Sequence, residues 1–526
     1  MRLFWRALIG LLLLAAVLAV VLVGNTLRQG SRQVAAAPLP PLGVDADKVA
    51  ASLAMALSAK TVSGLTDPAA AAEGFKALHA HLATRYPLAH AVLQRELIGD
   101  HGLVYTWRGS DVKVLPIALL AHQDVVPIAP GTEALWKQPP FGGVVADGFV
   151  WGRGALDNKS NVIAQFEAIE ALLAAGFKPA PTVYFFFGHD EEVGGQRGAA
   201  VWAAALKQRG QKLAYILDEG MAVTEGILPG VAKPIALIGL GEKGGLTVKL
   251  TATAAPGHSS MPPQTGNSAI GMLSAALAKL DAKPLPGGIQ GAAAEMFAAI
   301  APELPFGQRL ALSNLWLLRP LVEPMLAKGG ATNALMRTTT ALTVVDAGNQ
   351  ANVLPGKAEA TVNFRLLPGD TAESVIAHVK AAIADERITV APIGTPLEAT
   401  ALSSTSVDAF KLIERTVREV FPDAVVAPGL VLQGTDSRHF AGVAEQSYRF
   451  MPIRFKPEDL ARLHGTDERI AVHQLADMVR FYHRLLTQSA TDSTSLEPPG
   501  PGSARPAPRG GQAKWQSHTS FKGHAP

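Results

Sequence analysis

Three apolar runs in this chain stop at residues able to hold a metal ion. VLPIALLAH (114–122) ends in His122 and is followed by Gln123 and Asp124. PTVYFFFGH (181–189) runs into Asp190, Glu191 and Glu192. KLAYILDEG (212–220) reaches Asp218 and Glu219. Between the first two, GRGALDNKS places Asp157 ahead of a helical pattern. One acid at a strand end is unremarkable, but three strands that all end this way make a cluster. Adjacent acids repel one another and each costs desolvation, so the cluster calls for compensating cations. The chain has no cysteine, which excludes disulfides and thiolate ligands and leaves the redox compartment open. A His and carboxylate set suits Zn²⁺, Mn²⁺ or Co²⁺ at a hydrolytic site. Two ions sharing a bridging ligand use this many carboxylates better than one ion does. No HExxH is present, which excludes a thermolysin-like helix site.

The elements that must position these residues read as an α/β fold. NVIAQFEAIEALLAAGF carries Val162, Ile163, Phe166, Ile169, Leu172 and Leu173 at helical spacing, and AAVWAAALKQRG is a second helical pattern. Strand alternating with helix predicts a mainly parallel sheet with helices on both faces. Ligands bind at the carboxyl ends of such strands, which is where the acids lie. After Gly241 the pattern changes. TVKLTATA and ATVNFRLLP alternate, SAIGMLSAALAKL and TAESVIAHVKAAIAD are helical, and RITVAPI is another strand. We therefore expect a catalytic domain made of residues 45–240 and 397–487, interrupted by an α+β domain at 241–396. The Pro/Gly-rich piece 284–305 is expected to be irregular.

The two ends differ from the body. From Ala7 to Leu27 no residue is charged, and Leu, Val and Ala dominate. As a helix this stretch would span about 30 Å, enough for a bilayer core. Residues 1–36 are expected to form a membrane anchor and linker, with the body outside the cytoplasm. Secretion after signal cleavage is the alternative, for which the apolar run is long. The tail 488–526 is rich in Ser, Thr, Pro and Gly and is expected to be disordered. The net charge of +3 comes from basic residues at the two ends, so the basic balance does not argue for nucleic acid as a partner.

Eight motifs occur in order: AHQDVVP, GRGALDNKS, GHDEEVGG, ILDEG, APGHSSMPP, NVLPGKAEATVNFRLLPG, GTDSRHF and LHGTDERI. In this order and spacing the chain resembles the dinuclear zinc peptidase family of carboxypeptidase S and aminoacylase, over about residues 45–487. Within that family it looks most like carboxypeptidase S and the N-fatty-acyl-amino-acid synthase/hydrolases. The resemblance implies two Zn²⁺ per subunit, with Co²⁺ or Mn²⁺ as substitutes. It implies His122 and Asp218 on one metal, Glu192 and His464 on the other, and Asp157 bridging. Asp124 would orient His122, and Glu191 would be the general base. The inserted domain becomes a lid whose His258 polarises the scissile carbonyl. Asn352, Arg365, Gly434 and Thr435 fall on substrate-binding positions, with Arg365 suited to an α-carboxylate. The implied substrate is a small N-acyl amino acid or short peptide. The lid histidine acts within its own chain or across a homodimer made through the lid domain.

Residue types alone leave some choices open. Glu219 is as good a ligand as Asp218, and only the resemblance selects His464 over His473 or His483. His189 is read as structural. GLGEKG (239–244) fits GxGxxG but precedes an alternating strand instead of a helix, so it is read as a hinge and not a dinucleotide loop. GHSSM lacks the GxSxG of a nucleophile elbow. A dipeptidase or aminopeptidase would select a free amine, against which Arg365 argues. A non-catalytic binding protein would lack a ligand or the base, yet every position is filled.

Overall fold

The computed structural model describes residues 1–39, 42–64, 68–227 and 231–491, and all structural counts are over those residues. The strands Ile117–His122, Val183–Gly188 and Leu213–Asp218 are buried along almost their whole length. A run of Val, Ile, Phe and Tyr buried on both faces is what a parallel strand between two helical layers requires. They lie in a ten-stranded sheet, with Ile117–His122 parallel to Val183–Gly188 on one side and to Leu213–Asp218 on the other. Ala444–Arg449 follows, parallel to Leu213–Asp218. Beyond it, Ile235–Glu242 pairs in parallel with Val425–Val431. At the other end of the sheet, Gln94–Ile98 and Gly102–Trp107 add an antiparallel edge. Because His122 is opposite Gly188 in register, the acid-bearing ends emerge together at one edge of the sheet.

Helices cover both faces. On one face Lys159–Ala174 buries Val162, Phe166 and Ile169 beside the closing helix Val472–Thr491. On the other, Ala199–Gln208 stacks Trp202 on Phe186, with ring centroids 5.0 Å apart. The closing helix runs past the expected tail boundary: Gln488 and Ser489 are buried, and Gln488 Nε2 donates to the Glu419 carboxylate. The rest of the expected disordered tail, 492–526, lies outside the described residues.

The chain leaves the large sheet at Glu242 and enters a second one at Gly244. This four-stranded antiparallel sheet has the order Thr339–Ala347, Lys357–Leu366, Gly244–Thr253, Ile388–Leu397. Its two central strands alternate buried with less buried positions, as a sheet covered on one side does. The cover is Ala269–Asp281 and Ala372–Ile383.

The piece expected to be irregular contains a helix, Gly291–Ile300. Ala292, Ala293, Met296, Phe297 and Ile300 form its buried face. Prolines and glycines on either side mask that 3.6-residue period in the sequence. Its core partners are Ile235, Val425, Ala427 and Leu430 of the large sheet, and the core they share extends to Met336. The expected insertion at 241–396 thus contributes to two cores, because these apolar residues face the large sheet and not the small one. Phe186→Ala, which removes a fully buried ring stacked on Trp202, is expected to destabilise the protein by about 3–5 kcal/mol in denaturant titrations.

Candidate metal centre

The run His189-Asp-Glu-Glu resolves into separate tasks. The strand ends at Gly188 and the chain turns into a short 3₁₀ turn, Glu191–Val193, closed by Gly194 at φ 99°. Asp190 points away from the carboxylate cluster, and its carboxylate accepts the N–H groups of Arg197 (2.7 Å) and Gly198 (3.0 Å) at the start of the next helix. Asp124 holds the other two acids in place: its carboxylate accepts the backbone N–H of Glu191 (3.2 Å) and of Glu192 (3.1 Å). Its own carbonyl and carboxylate lie 2.9 Å and 3.4 Å from His122 Nδ1, leaving Nε2 free to face the site. A carboxylate behind a histidine in this way fixes the ring and its tautomer.

Asp157 stands between two histidines. One oxygen is 2.9 Å from His122 Nε2 and the other 3.2 Å from His464 Nε2. His464 Nε2 is also 3.2 Å from Glu192 Oε2, and His122 Nε2 is 3.2 Å from Glu219 Oε1. Two donor sets result, His122–Asp157–Glu219 and Asp157–Glu192–His464, each with its ligand atoms within 4.8 Å of one another. Glu192 Oε1 is buried and has no hydrogen-bond partner among the described residues. Two sets of His and carboxylate donors sharing one aspartate, with an orphaned carboxylate oxygen among them, fit divalent cations.

Beside the expected ligand Asp218, the geometry brings a second acid, Glu219, up to His122. The Asp218 oxygens each accept one backbone N–H, from Glu219 (2.9 Å) and from Ser437 (2.7 Å), while Glu219 Oε1 stands 3.2 Å from His122 Nε2. The next residue along the strand points to the opposite side, so one position decides which acid faces the cluster.

Two residues that the sequence reading passed over bring the distant His464 to Asp157. Glu468, fully buried, accepts the backbone N–H groups of Gly154, Leu156 and Asp157 on one oxygen. Its other oxygen is 2.7 Å from Arg153 Nη1, and Arg153 Nη2 donates to the carbonyls of His464 and Gly465. The charges in GRGALDNKS and LHGTDERI were the available signal.

Glu191 makes no side-chain hydrogen bond among the described residues. Burial, with Glu219 and Asp157 facing it, pushes its carboxyl well above the usual range. Burial also pushes Glu219 up to about 8. Hydrogen bonds with Asp157 and Glu192 push His464 up to about 10.

Of the remaining expected site residues, Thr435 lies beside Gly220 and Asp218 at the rim of the cluster, and the others make no hydrogen bond to it among the described residues. His258 and Asn352 are both exposed on the small-sheet side, where His258 pairs with Val353 and the Ser259 N–H donates to the Asn352 carbonyl. Arg365, opposite Gly245 in the small sheet, is exposed and has no ion pair among the described residues. Arg438, from GTDSRHF, lies within electrostatic reach of both Arg365 and Glu191 and was not singled out from the sequence. A Cβ at Gly434 would run into its guanidinium. Thr435 is buried, and both its N–H and its hydroxyl donate to Glu242.

Residues 118–488 match the model of peptidase family M20/M25/M40. The chain is 39% identical over 489 residues to the probable carboxypeptidase S-like 2 of Dictyostelium discoideum, covering 91% of this chain and 92% of that protein. It is 40% identical over 414 residues to the N-fatty-acyl-amino acid synthase/hydrolase PM20D1 of Xenopus tropicalis, covering 78% and 79%. Among solved structures it is similar in fold to the M20 family metallo-carboxypeptidase Sso-CP2 of Sulfolobus solfataricus, with a TM-score of 0.58 at 18% identity, over 85% of this chain and all of that one.

At pH 7 His464 and Glu219 each hold a proton that a cation must displace, so binding releases protons and tightens as pH rises. Titration calorimetry of Zn²⁺ into chelator-treated protein, in buffers of differing ionisation heat, should show more protons released at pH 7 than at pH 9. No release at pH 7 would contradict these assignments. Glu468→Ala leaves the Arg153 charge buried and unpaired, and is expected to cost about 3–5 kcal/mol of stability in denaturant titrations.

Proposed function

The chain belongs to peptidase family M20/M25/M40 and is a metal-dependent hydrolase of amide bonds; from that premise we propose that it cleaves N-acyl amino acids or the C-terminal residues of short peptides. The observation that carries this reading is the pair of donor sets sharing Asp157, with the unpartnered Glu191 beside them.

His122, Asp157 and Glu219 would hold one divalent cation, and Asp157, Glu192 and His464 a second. We assign both as Zn²⁺, with Co²⁺ or Mn²⁺ able to substitute. When bound, such ions supply Lewis acidity at an amide carbonyl and acidify water. Glu191 takes the proton of the attacking water and returns it to the leaving amine, a role that its burial and raised proton affinity favour. His258 polarises the carbonyl oxygen, with Asn352 next to it. For these two exposed residues to reach the substrate the small sheet must act as a lid, within one chain or across a homodimer made through it.

Substrate choice rests on positive charge. Arg365 lacks a carboxylate partner among the described residues, and Arg438, which faces Glu242 at 3.6 Å and over which Gly434 leaves room, stands nearby. A free α-carboxylate is the ligand that such guanidinium groups recognise. This favours a carboxypeptidase or N-acyl amino acid hydrolase over a dipeptidase or aminopeptidase, which must select an amine. Thr435, tied to Glu242, shapes the wall through its backbone. The names of the carboxypeptidase S-like and N-fatty-acyl-amino acid relatives support the same substrate class. Helix Arg2–Arg28 is long and apolar enough to cross a membrane by length and composition. We read it as an uncleaved anchor that places the body outside the cytoplasm.

The test is a panel of N-acetyl and N-oleoyl amino acids and blocked dipeptides with the full chain in detergent. Turnover should vanish with EDTA, and survival of full activity after complete metal removal would defeat the reading. Glu191→Gln should keep its metal while losing about 10²–10⁴-fold in kcat. Arg365→Met should lower kcat/KM for free acids by about tenfold to a hundredfold, chiefly through KM, and leave amidated analogues little changed.

A further inference from the structure

The apolar N-terminal helix does not leave the body on a loose tether. Its last turns are bonded to the helix Phe306–Ser313 and to Asn314, the residue that joins it to the next helix, Leu315–Leu326. Asn25 Nδ2 donates to the Ser313 carbonyl (2.8 Å) and to Asn314 Oδ1 (3.0 Å). Asn314 Nδ2 donates to the Leu22 carbonyl and to Thr26 Oγ1, both at 3.1 Å. Arg309 Nη2 donates to the carbonyls of Thr26 and Gln29, which the end of the helix leaves free. Thr26 and Asn314 are fully buried in this joint.

Next to the joint, Leu315–Leu326 is apolar on both of its sides. Leu315, Leu318, Val322 and Leu326 pack on the core shared with the large sheet. Trp316, Leu317, Pro320, Leu321, Pro324 and Met325 are all exposed, with Trp316, Leu321 and Met325 at 64%, 66% and 70%. Their spacing of i, i+1, i+4, i+5, i+8 and i+9 puts them on one stripe. Arg319 and Glu323, paired at 3.2 Å, are the only charges on the helix, and an exposed apolar stripe this long is normally covered.

The joint fixes the depth of that stripe. Residues 7–22, the uncharged part of the anchor helix ahead of the joint, rise about 24 Å, most of a bilayer's hydrocarbon core. Leu22–Gln29, and whatever is hydrogen-bonded to them, then lie at the membrane–water interface. Interfaces favour Trp, and the stripe presents Trp316. Pro320 and Pro324 lack N–H groups, so the carbonyls one turn earlier need water, which the interface provides and the hydrocarbon core does not.

We propose that the exposed stripe of Leu315–Leu326 is a second membrane contact, lying in the interface of the leaflet from which the anchor helix emerges and holding the catalytic body at a fixed orientation to the lipid surface. This rests on reading Arg2–Arg28 as a membrane span. The absence of native cysteine allows single-site labelling of the full chain in lipid nanodiscs. Leu321→Cys probes the stripe and Leu13→Cys the anchor. Val112→Cys, 96% exposed and next to the opposite end of the large sheet, is the aqueous control. With an environment-sensitive fluorophore, Leu13→Cys and Leu321→Cys should both show blue-shifted emission. A lipid nitroxide near the headgroup should quench Leu321→Cys and not Val112→Cys, and Met325→Cys should behave as Leu321→Cys does. If Leu321→Cys and Met325→Cys match Val112→Cys while Leu13→Cys is embedded, the anchor stands and the second contact is overturned. If Leu13→Cys is also aqueous, the span itself fails and the inference with it.

Discussion

Buried carboxylates facing one another without enough positive charge are costly, and the architecture is arranged around that cost. Asp157, Glu191, Glu192 and Glu219 converge where three buried strands end, with His122 and His464 among them. Protonation alone can relieve the strain, as the upward shifts of Glu191, Glu192 and Glu219 indicate. Divalent cations relieve it more completely and leave the glutamates ionised for chemistry. The rest of the catalytic body serves to keep the acids together against their repulsion. Asp124 fastens the Glu191–Glu192 turn, and the buried Arg153–Glu468 pair ties the Asp157 loop to the His464 loop.

Much of this was legible in the sequence because the chemistry sits at strand ends. Each strand announced itself as an apolar run, and the acids followed directly. The charge puzzle of Asp190, Glu191 and Glu192 could be stated from the sequence. Its resolution could not, since one acid holds the turn before a helix through the backbone N–H groups of Arg197 and Gly198, and two face the cluster. The choice between Asp218 and Glu219 turns on a single residue of register where the strand ends, which no periodicity specifies. The Arg153–Glu468 pair joins loops over three hundred residues apart in sequence, and its partners look like ordinary surface charges until the fold buries them.

The same contrast holds for the fold. Alternation and helical spacing predicted the mainly parallel sheet and an inserted α+β domain. The helix Gly291–Ile300 was hidden by flanking prolines and glycines, and its apolar face belongs to the large sheet although its sequence lies inside the insertion. That excursion matters for function, because the helices after it receive the end of the N-terminal helix. One stretch of chain therefore links the catalytic sheet to the segment proposed to enter the membrane.

The central proposal is that the strand-end carboxylates hold two divalent cations about Asp157, with Glu219 beside His122 as a ligand of one of them. Anomalous diffraction at the zinc edge from crystals of the metal-loaded protein tests it most directly. The account predicts two peaks flanking Asp157, one touching His122 and Glu219 and the other Glu192 and His464, with Asp218 still bonded to backbone N–H groups. A single peak, no peak, or Asp218 in place of Glu219 would contradict it.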